Sequence, residues 1–461
     1  LRPKIMKKNK IWIIVILLSV LALSLVVVLL KFLEIENKSA YVIKQNGVSE
    51  SESEKIKVAS GWSVNEDSKK AVDEAMYSIR LGLNGQSPDF LIVQATEGID
   101  YSTVIGEIHT VWPSVQIFGG TSHLATLTDD GYHQGESGSL SLLGVVSEKI
   151  EFAVGGSSFA DYSSPEKAVE EAIGLATADF SEEKPELVFM TSAPGFEEKV
   201  LLEIKKILGP DVPVFGGSSA DNEIKNKWRQ FANGRIYSEG VSLAMVYIDN
   251  KVRDDIKISW ASQSGYDLSE QGGLITRAEG RIIYEIDNRP AAEVYNNWTG
   301  GKFSQELISG GSILNKSNIY PLSKVLANNG KINYLTIHPA SIDADKGSLE
   351  VFAEVRAGDK IVFRHGDWET LLNRTSLVVE KALNKKEIDQ DSVCFALYDF
   401  CGGALGAIPK TERTKIPALI SEKLIKAPYL GMFTFGEQFF LEGVGNTHQN
   451  LVSSVIIFCE E

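Results

Sequence analysis

Two short stretches place small hydroxyl residues directly after a glycine pair. Gly216-Gly217-Ser218-Ser219-Ala220-Asp221 follows the apolar Pro213-Val214-Phe215, and Gly119-Gly120-Thr121-Ser122 follows Val115-Gln116-Ile117-Phe118. Adjacent glycines at the end of an apolar run permit positive φ and close backbone approach. Freed N–H groups, the hydroxyls of Thr121, Ser122, Ser218 and Ser219, and the Asp221 carboxylate would then line a sheet end, where ligands commonly bind. A tight strand-to-loop turn that binds nothing is the alternative reading.

A second set lies near the carboxy terminus: Cys401 before Gly402-Gly403, Glu437 in Phe435-Gly436-Glu437, and His448 and Asn450 in His448-Gln449-Asn450. Glu437 and His448 facing each other across a strand end would form an acid–base pair or two metal ligands. A hydrogen-bonded pair that ties a loop is the alternative. His109, His123, His133, His338 and His365 show no His-x-x-x-His or His-x-His spacing, so no metal is expected and no cofactor is assigned. Covalent chemistry would use Cys401 or a serine of the Gly-Gly-Ser-Ser loop, with His448 as base and Glu437 as orienter. No Gly-x-Ser-x-Gly elbow occurs at 216–221, and small-molecule binding is the preferred reading over hydrolase or transferase chemistry.

The elements that must position these residues are repeated. Lys70-Ala71-Val72-Asp73-Glu74-Ala75 matches Lys167-Ala168-Val169-Glu170-Glu171-Ala172 at an offset of 97, and Phe90-Leu91-Ile92-Val93 and Phe118-Gly119-Gly120 have counterparts at the same offset. The spacing predicts two copies, 53–146 and 147–248, related as a pseudo-twofold pair with Phe118 and Phe215 equivalent. Each copy reads as strand, helix, buried strand, helix, strand ending in Gly-Gly, then hairpin. Ser164-Pro165 supplies an N-cap and first helical residue, and Ala168, Val169, Ala172, Ile173 and Ala176 share one face. The fold class is α/β with mixed sheets, internally duplicated.

The chain has 461 residues and a formal charge of −15. Ile11 to Leu30 is apolar except for Ser19 and Ser24 and follows a lysine cluster, which predicts an uncleaved membrane anchor, amino terminus inside and the remainder extracytoplasmic. Residues 1–33 are the basic tip and anchor, and 34–52 a polar stalk. Residues 1–31 hold six Lys/Arg and no acid, leaving 40 basic against 61 acidic residues, or −21. So acidic a remainder excludes nucleic acid as a partner. The three cysteines contain no Cys-x-x-Cys and exclude a disulfide scaffold. Cys394 and Cys459 read as core residues, and Cys401 as the one placed for exposure.

From about 256 a second domain, 256–461, carries a more diverged third copy: strand Lys360–Phe363, helix near Glu369–Leu383, strand Val393–Tyr398, helix near Ile416–Lys426, strand Tyr429–Thr434 and last strand Leu451–Phe458. In it Phe435-Gly436-Glu437 takes the place of Phe-Gly-Gly-Ser. Over about 56–458 the chain resembles the FIST domain proteins, with an N-type half at 53–250 and a C-type half at 256–461. The resemblance rests on the order of Val214–Asp221, Phe231-Ala232-Asn233-Gly234-Arg235-Ile236, Glu285–Ala291, Gly347-Ser348-Leu349, Thr434–Glu437 and His448-Gln449-Asn450. It implies a sensory module that binds small ligands such as amino acids and works with a separate signalling partner. Phe400-Cys401-Gly402-Gly403 lacks the arginine usual there in the family, which removes a partner for a ligand carboxylate.

Overall fold

The computed structural model describes residues 55–180, 183–328 and 330–461. The expected anchor at 11–30 and stalk at 34–52 lie outside them. Among the described residues no helix is long and apolar enough to cross a membrane.

One succession of elements occurs three times. The first unit runs β1 (Lys57–Ser63), α1 (Ser68–Gly82), β2 (Phe90–Ala95), α2 (Tyr101–Val111), β3 (Gln116–Thr121), a hairpin of β4 (Thr126–Thr128) and β5 (Gly131–His133), and β6 (Leu140–Val146). The second runs β7 (Ile150–Ser158), α3 (Pro165–Ala176), β8 (Leu187–Ser192), α4 (Glu197–Leu208), β9 (Val214–Gly217), a hairpin of β10 (Gln230–Ala232) and β11 (Arg235–Tyr237), and β12 (Gly240–Ile248). The third opens with β13 (Ile256–Gln263) and is then interrupted.

The interruption is a nine-stranded antiparallel sheet with three short helices. It comprises β14 (Asp267–Glu279), β15 (Ile282–Ile286), β16 (Arg289–Pro290), α5 (Ala291–Trp298), α6 (Glu306–Ser309), β17 (Gly311–Ser312), α7 (Leu314–Ser317), β18 (Leu322–Asn328), β19 (Lys331–Ile337), β20 (Pro339–Asp343), β21 (Ser348–Val351) and β22 (Lys360–His365). The third unit resumes with α8 (Trp368–Lys385), β23 (Val393–Cys401), α9 (Gly402–Ala407), α10 (Lys410–Arg413), α11 (Ile416–Leu424), β24 (Tyr429–Thr434), the hairpin β25 (Glu437–Leu441) and β26 (Gly445–Gln449), and β27 (Ser453–Glu460). Lys360–Phe363 therefore belongs to the inserted sheet, and β13, paired with β27, is the unit's first strand. Both segments mix apolar and polar residues as half-buried strands do, and only pairing separates them.

Each unit builds a four-stranded mixed sheet in the order first–last–second–third strand, with the second and third parallel. Each sheet is completed by a hairpin from another unit. The second unit's β10 lies on β3, the third unit's β25 on β9, and the first unit's β4 on β24. This exchange closes only as a ring of three, so the arrangement is pseudo-threefold and not the expected pseudo-twofold pair. Phe118 and Phe215 do occupy equivalent positions, opposite Ile92 and Phe189. Register places Leu430-Gly431-Met432 there in the third unit, opposite Leu397 onward. Phe435-Gly436-Glu437 is thus not the counterpart of Phe-Gly-Gly-Ser: it leads into the exchanged hairpin.

Helices cover one face of each sheet, and the opposite faces meet in a shared core containing Ile92, Phe118, Phe189, Phe215, Leu397 and Leu430. Strands covered on both sides are mostly apolar; β2, β8 and β24 are buried at every position and carry polar residues only at or near their ends. Side-chain caps start the helices, Asp67 on α1 and Ser164 with Pro165 on α3. The buried stripe of α3 is Ala168, Val169, Ala172, Ile173 and Ala176, at the helical period.

The first glycine of each pair is required by close packing. A Cβ on Gly119 would lie 1.9 Å from the Val93 carbonyl oxygen, and one on Gly216 1.9 Å from that of Met190. Gly119→Ala should cost about 2–4 kcal/mol. Gly174→Ala, on α3 with nothing within 4 Å, should stabilise by roughly 0.5–1 kcal/mol. Denaturant midpoints of the two variants, moving in opposite directions, check this packing.

Candidate functional site

The hydroxyls after the glycine pairs are engaged where the units cross. Thr121 Oγ1 accepts from the Arg229 amide at 2.9 Å, and Ser122 Oγ donates to the Ala125 carbonyl at 2.6 Å while accepting from the Phe433 amide. Ser219 and Thr191 hydroxyls bond at 2.9 Å. Gly119, Gly120 and Gly216 border only a water-sized void of about 20 Å³ at the meeting of the three sheets. A Cβ on Gly217 would strike Thr434.

The larger opening, about 590 Å³, lies beside these strand ends. Its walls come from the second unit (Glu197, Asn222, Trp228), the insertion (Arg281, His338, Phe352) and the third unit (Cys401, Phe435, Asn450), with His123 from the first. Of the residues expected to bind, Cys401 and Asn450 line it directly. Ser218, Asp221 and His448 stand one layer behind, each holding part of the wall.

Asp221 organises the loop that follows it. Its carboxylate accepts from the backbone amides of Glu223, Lys225 and Lys227 at 3.1, 2.8 and 2.9 Å and also from Ile224. The loop wraps around this single side chain, and Ile224 takes φ 57°, strained for a β-branched residue. Such strain persists where the surroundings enforce it and gathers at binding sites. The Asp221 carbonyl also meets His123 Nδ1 at 2.7 Å, fixing that ring.

Ser218 and His448 belong to one hydrogen-bonded chain. Ser218 Oγ donates to Glu197 Oε1 at 2.7 Å and accepts from Gln438 Nε2 at 3.2 Å. His448 Nε2 lies 3.0 Å from the Phe352 carbonyl, which can only accept, so Nε2 carries hydrogen. Nδ1 faces the Gln438 amide at 3.1 Å. Among the described residues the Gln438 Oε1 has no hydrogen-bond partner. Asn450 accepts from the His338 amide at 3.2 Å and comes within 3.4 Å of His448.

The strongest charges are at the first turn of α4. Arg281 Nη2 donates to Glu197 at 2.7 Å and Glu198 at 2.6 Å. Burial opposes the arginine's charge, but the two carboxylates outweigh it and raise its pKa. Burial likewise works against ionised Glu198, yet His448 and Arg281 hold it down to about 2. Two carboxylates at a helix N-terminus also suit the helix dipole.

The expected Glu437–His448 pair does not form. Glu437 sits opposite Gln449 and His448 opposite Gln438, so the pleat turns the two side chains to opposite faces. Glu437 ties a loop instead, accepting from Thr434 Oγ1 at 2.6 Å and the Val452 amide at 3.2 Å. Among the described residues no hydrogen bond joins His448 to Ser218, Ser219 or Cys401, as a nucleophile and base would require. Cys401 is buried instead of exposed, and burial, reinforced by Glu437, pushes its thiol far above the ordinary range. A protonated thiol is a poor nucleophile. Among the described residues no three His, Cys, Asp or Glu side chains converge as metal ligands.

Sequence reasoning passed over most of the cavity wall. Asn222 and Phe435 adjoin quoted motifs and were within reach. Trp228, Arg281, His338 and Phe352 carry no local signal, because each reaches the cavity through long-range packing.

Burial pushes Glu437 up to about 8, with neighbouring Asp399 adding to it, and Asp399 itself up to about 8. Unfolded carboxyls titrate near 4. The stability these protonated groups contribute is complete below about pH 4 and is lost as pH rises through about 8. Glu437→Gln keeps the shape without the titration, so its thermal midpoint should fall less steeply than wild type between pH 5 and 9. A pH-independent offset between the two would contradict the assignment.

Comparison with known proteins agrees on the family and adds little on activity. An uncharacterized protein of Methanocaldococcus jannaschii is 28% identical over 95 residues, 20% of this chain and 17% of that protein, so the match spans a small part of either. Among solved structures, a cyanuric acid hydrolase from A. caulinodans aligns over 88% of this chain and 100% of its own at 7% identity and a TM-score of 0.34. T. maritima PurL complexed with ATP aligns over 88% and 71% at 10% identity and a TM-score of 0.19. Scores this low carry no inference. Residues 89–289 match the FIST N domain and residues 291–440 the FIST C domain, so the chain contains both FIST domains in that order.

Proposed function

We propose that the chain is a sensory protein that binds a small molecule in the 590 Å³ cavity and passes the signal to a separate partner. FIST domains are associated with sensory signal transduction and ligand binding. The observation that carries the reading is the cavity itself. Its size suits a small ligand, it mixes aromatic walls with converging polar groups, and both FIST domains contribute to it. A ligand there touches Trp228 and Arg281 from one domain and Phe352 and Phe435 from the other. Its binding free energy can therefore bias the contacts that join them, among them the bond from the Glu354 amide to Glu198 and that from Gln438 to Ser218. The lysine-flanked apolar run at 11–30 supports attachment to a membrane, amino terminus inside.

Gly406 lines the cavity, and the nearest atom to a Cβ there is 3.8 Å away. Gly406→Phe should fill the opening without disturbing the fold. A thermal-shift screen of the full chain against a metabolite panel should find compounds that raise the wild-type midpoint and leave Gly406→Phe unmoved. Hits that stabilise both equally would place the site elsewhere.

For topology, protease added to intact cells should remove the region after residue 34. Complete protection would place the FIST domains on the inner side.

A further inference from the structure

We infer that the ligand of this cavity is an organic cation, an amine or amidine without a carboxylate, held by lone-pair acceptors against an aromatic wall. The inference rests on the cavity being the binding site.

Charge is the first observation. Among the described residues Arg281 is the only Lys or Arg in the lining, and it is held by Glu197 and Glu198 together, so its charge is already engaged by two carboxylates. Glu223 adds a further carboxylate to the rim. Its partner Lys225 is an exposed side chain, and such pairs are weak and screened. An incoming carboxylate or phosphate meets an arginine already outnumbered two to one.

Hydrogen-bond polarity is the second. His123 Nδ1 faces the Asp221 carbonyl, so its hydrogen sits there and Nε2 is left as an acceptor. Ser317 gives its hydroxyl hydrogen to the Pro339 carbonyl at 2.6 Å and must accept from His338 Nε2 at 3.0 Å, which leaves His338 Nδ1 as an acceptor. Among the described residues neither remaining nitrogen has a hydrogen-bond partner. Burial lowers the pKa of both rings, His338 to about 3, so both stay neutral and present lone pairs.

The third is the wall. Trp228, Phe435 and Phe352 line the cavity, with Trp228 and Phe435 edge to face at 6.4 Å. Aromatic faces attract a cation, most strongly when it is desolvated. Ammonium and amidinium groups bring only donors, which is what two imidazole lone pairs and the carboxylates can satisfy.

Matched pairs test the class: tyramine against tyrosine, and agmatine against arginine, titrated by calorimetry into the full chain and into Gly406→Phe. At least one amine should bind wild type ten-fold or more tighter than its amino acid, weaken with added salt, and fail to bind Gly406→Phe. Glu223→Gln should weaken that amine three- to ten-fold at an unchanged thermal midpoint. Equal or tighter binding of the carboxylate-bearing member, still blocked by Gly406→Phe, would overturn the cation assignment and leave the cavity as the site. Binding of the amines to Gly406→Phe at wild-type affinity, or no binding by any amine, would also overturn it.

Discussion

The structure depends on how three sheet edges are closed. A four-stranded sheet whose third strand lies at the edge presents unpaired amide and carbonyl groups there, a liability for any folded chain. Here β3, β9 and β24 are each covered by a hairpin from a different unit. Gly119 and Gly216 serve a different contact, since a Cβ on either would meet the carbonyl of the parallel strand in its own unit, Val93 or Met190. The exchange explains where the polar residues after those glycines go. Thr121, Ser122, Ser218 and Ser219 are engaged at the crossings, satisfying groups that the exchange buries.

The cavity follows from breaking that symmetry. The third unit carries a nine-stranded insertion after its first strand, and the insertion docks through Arg281 on the first turn of α4 and Phe352 on His448. The second unit's loop after β9, wound around Asp221, then faces the insertion, and the space between them is the cavity. Glu197 links the two levels. One oxygen accepts from Ser218 behind the wall, and the other from Arg281 and the Gly195 amide. A ligand that moved Arg281 would thereby act on a chain running from Glu197 through Ser218 and Gln438 to His448.

Much of the fold was legible because the pattern is periodic and repeated. Offsets of 97 residues located two units, and the cap at Ser164 before Pro165 set a helix start by local chemistry. The hairpin exchange was not legible: β4 and β24 pair across about 300 residues, and no local property of either names its partner. The third unit misled for a related reason. Phe435-Gly436-Glu437 imitates Phe-Gly-Gly, whereas the true counterpart, Leu430-Gly431-Met432, keeps only the glycine, whose Cβ would meet the Leu127 side chain instead of a carbonyl. For the site, the sequence pointed to the right strand ends but to the layer behind the cavity. Hydroxyls after glycine pairs look available to a ligand until the crossing partner that occupies them is known.

The two family halves consequently form one folding unit. An amino-terminal half cut after β12 would keep β10 on β3 but leave β9 without β25, and the hairpin β4–β5 without β24. The shared core would lose Phe395, Leu397, Leu430, Phe439, Ile456 and Phe458, exposing the axis-facing side of the remaining sheets. The last strand reinforces this closure, since Glu460 takes both the Ile56 amide and Lys149 from the opposite end of the chain. Contacts of such sequence separation form late, because loop closure costs entropy before the contacts return it. The cavity, whose walls come from all three units and the insertion, exists only once the ring has closed, so ligand binding reports on the completed molecule and on neither half alone.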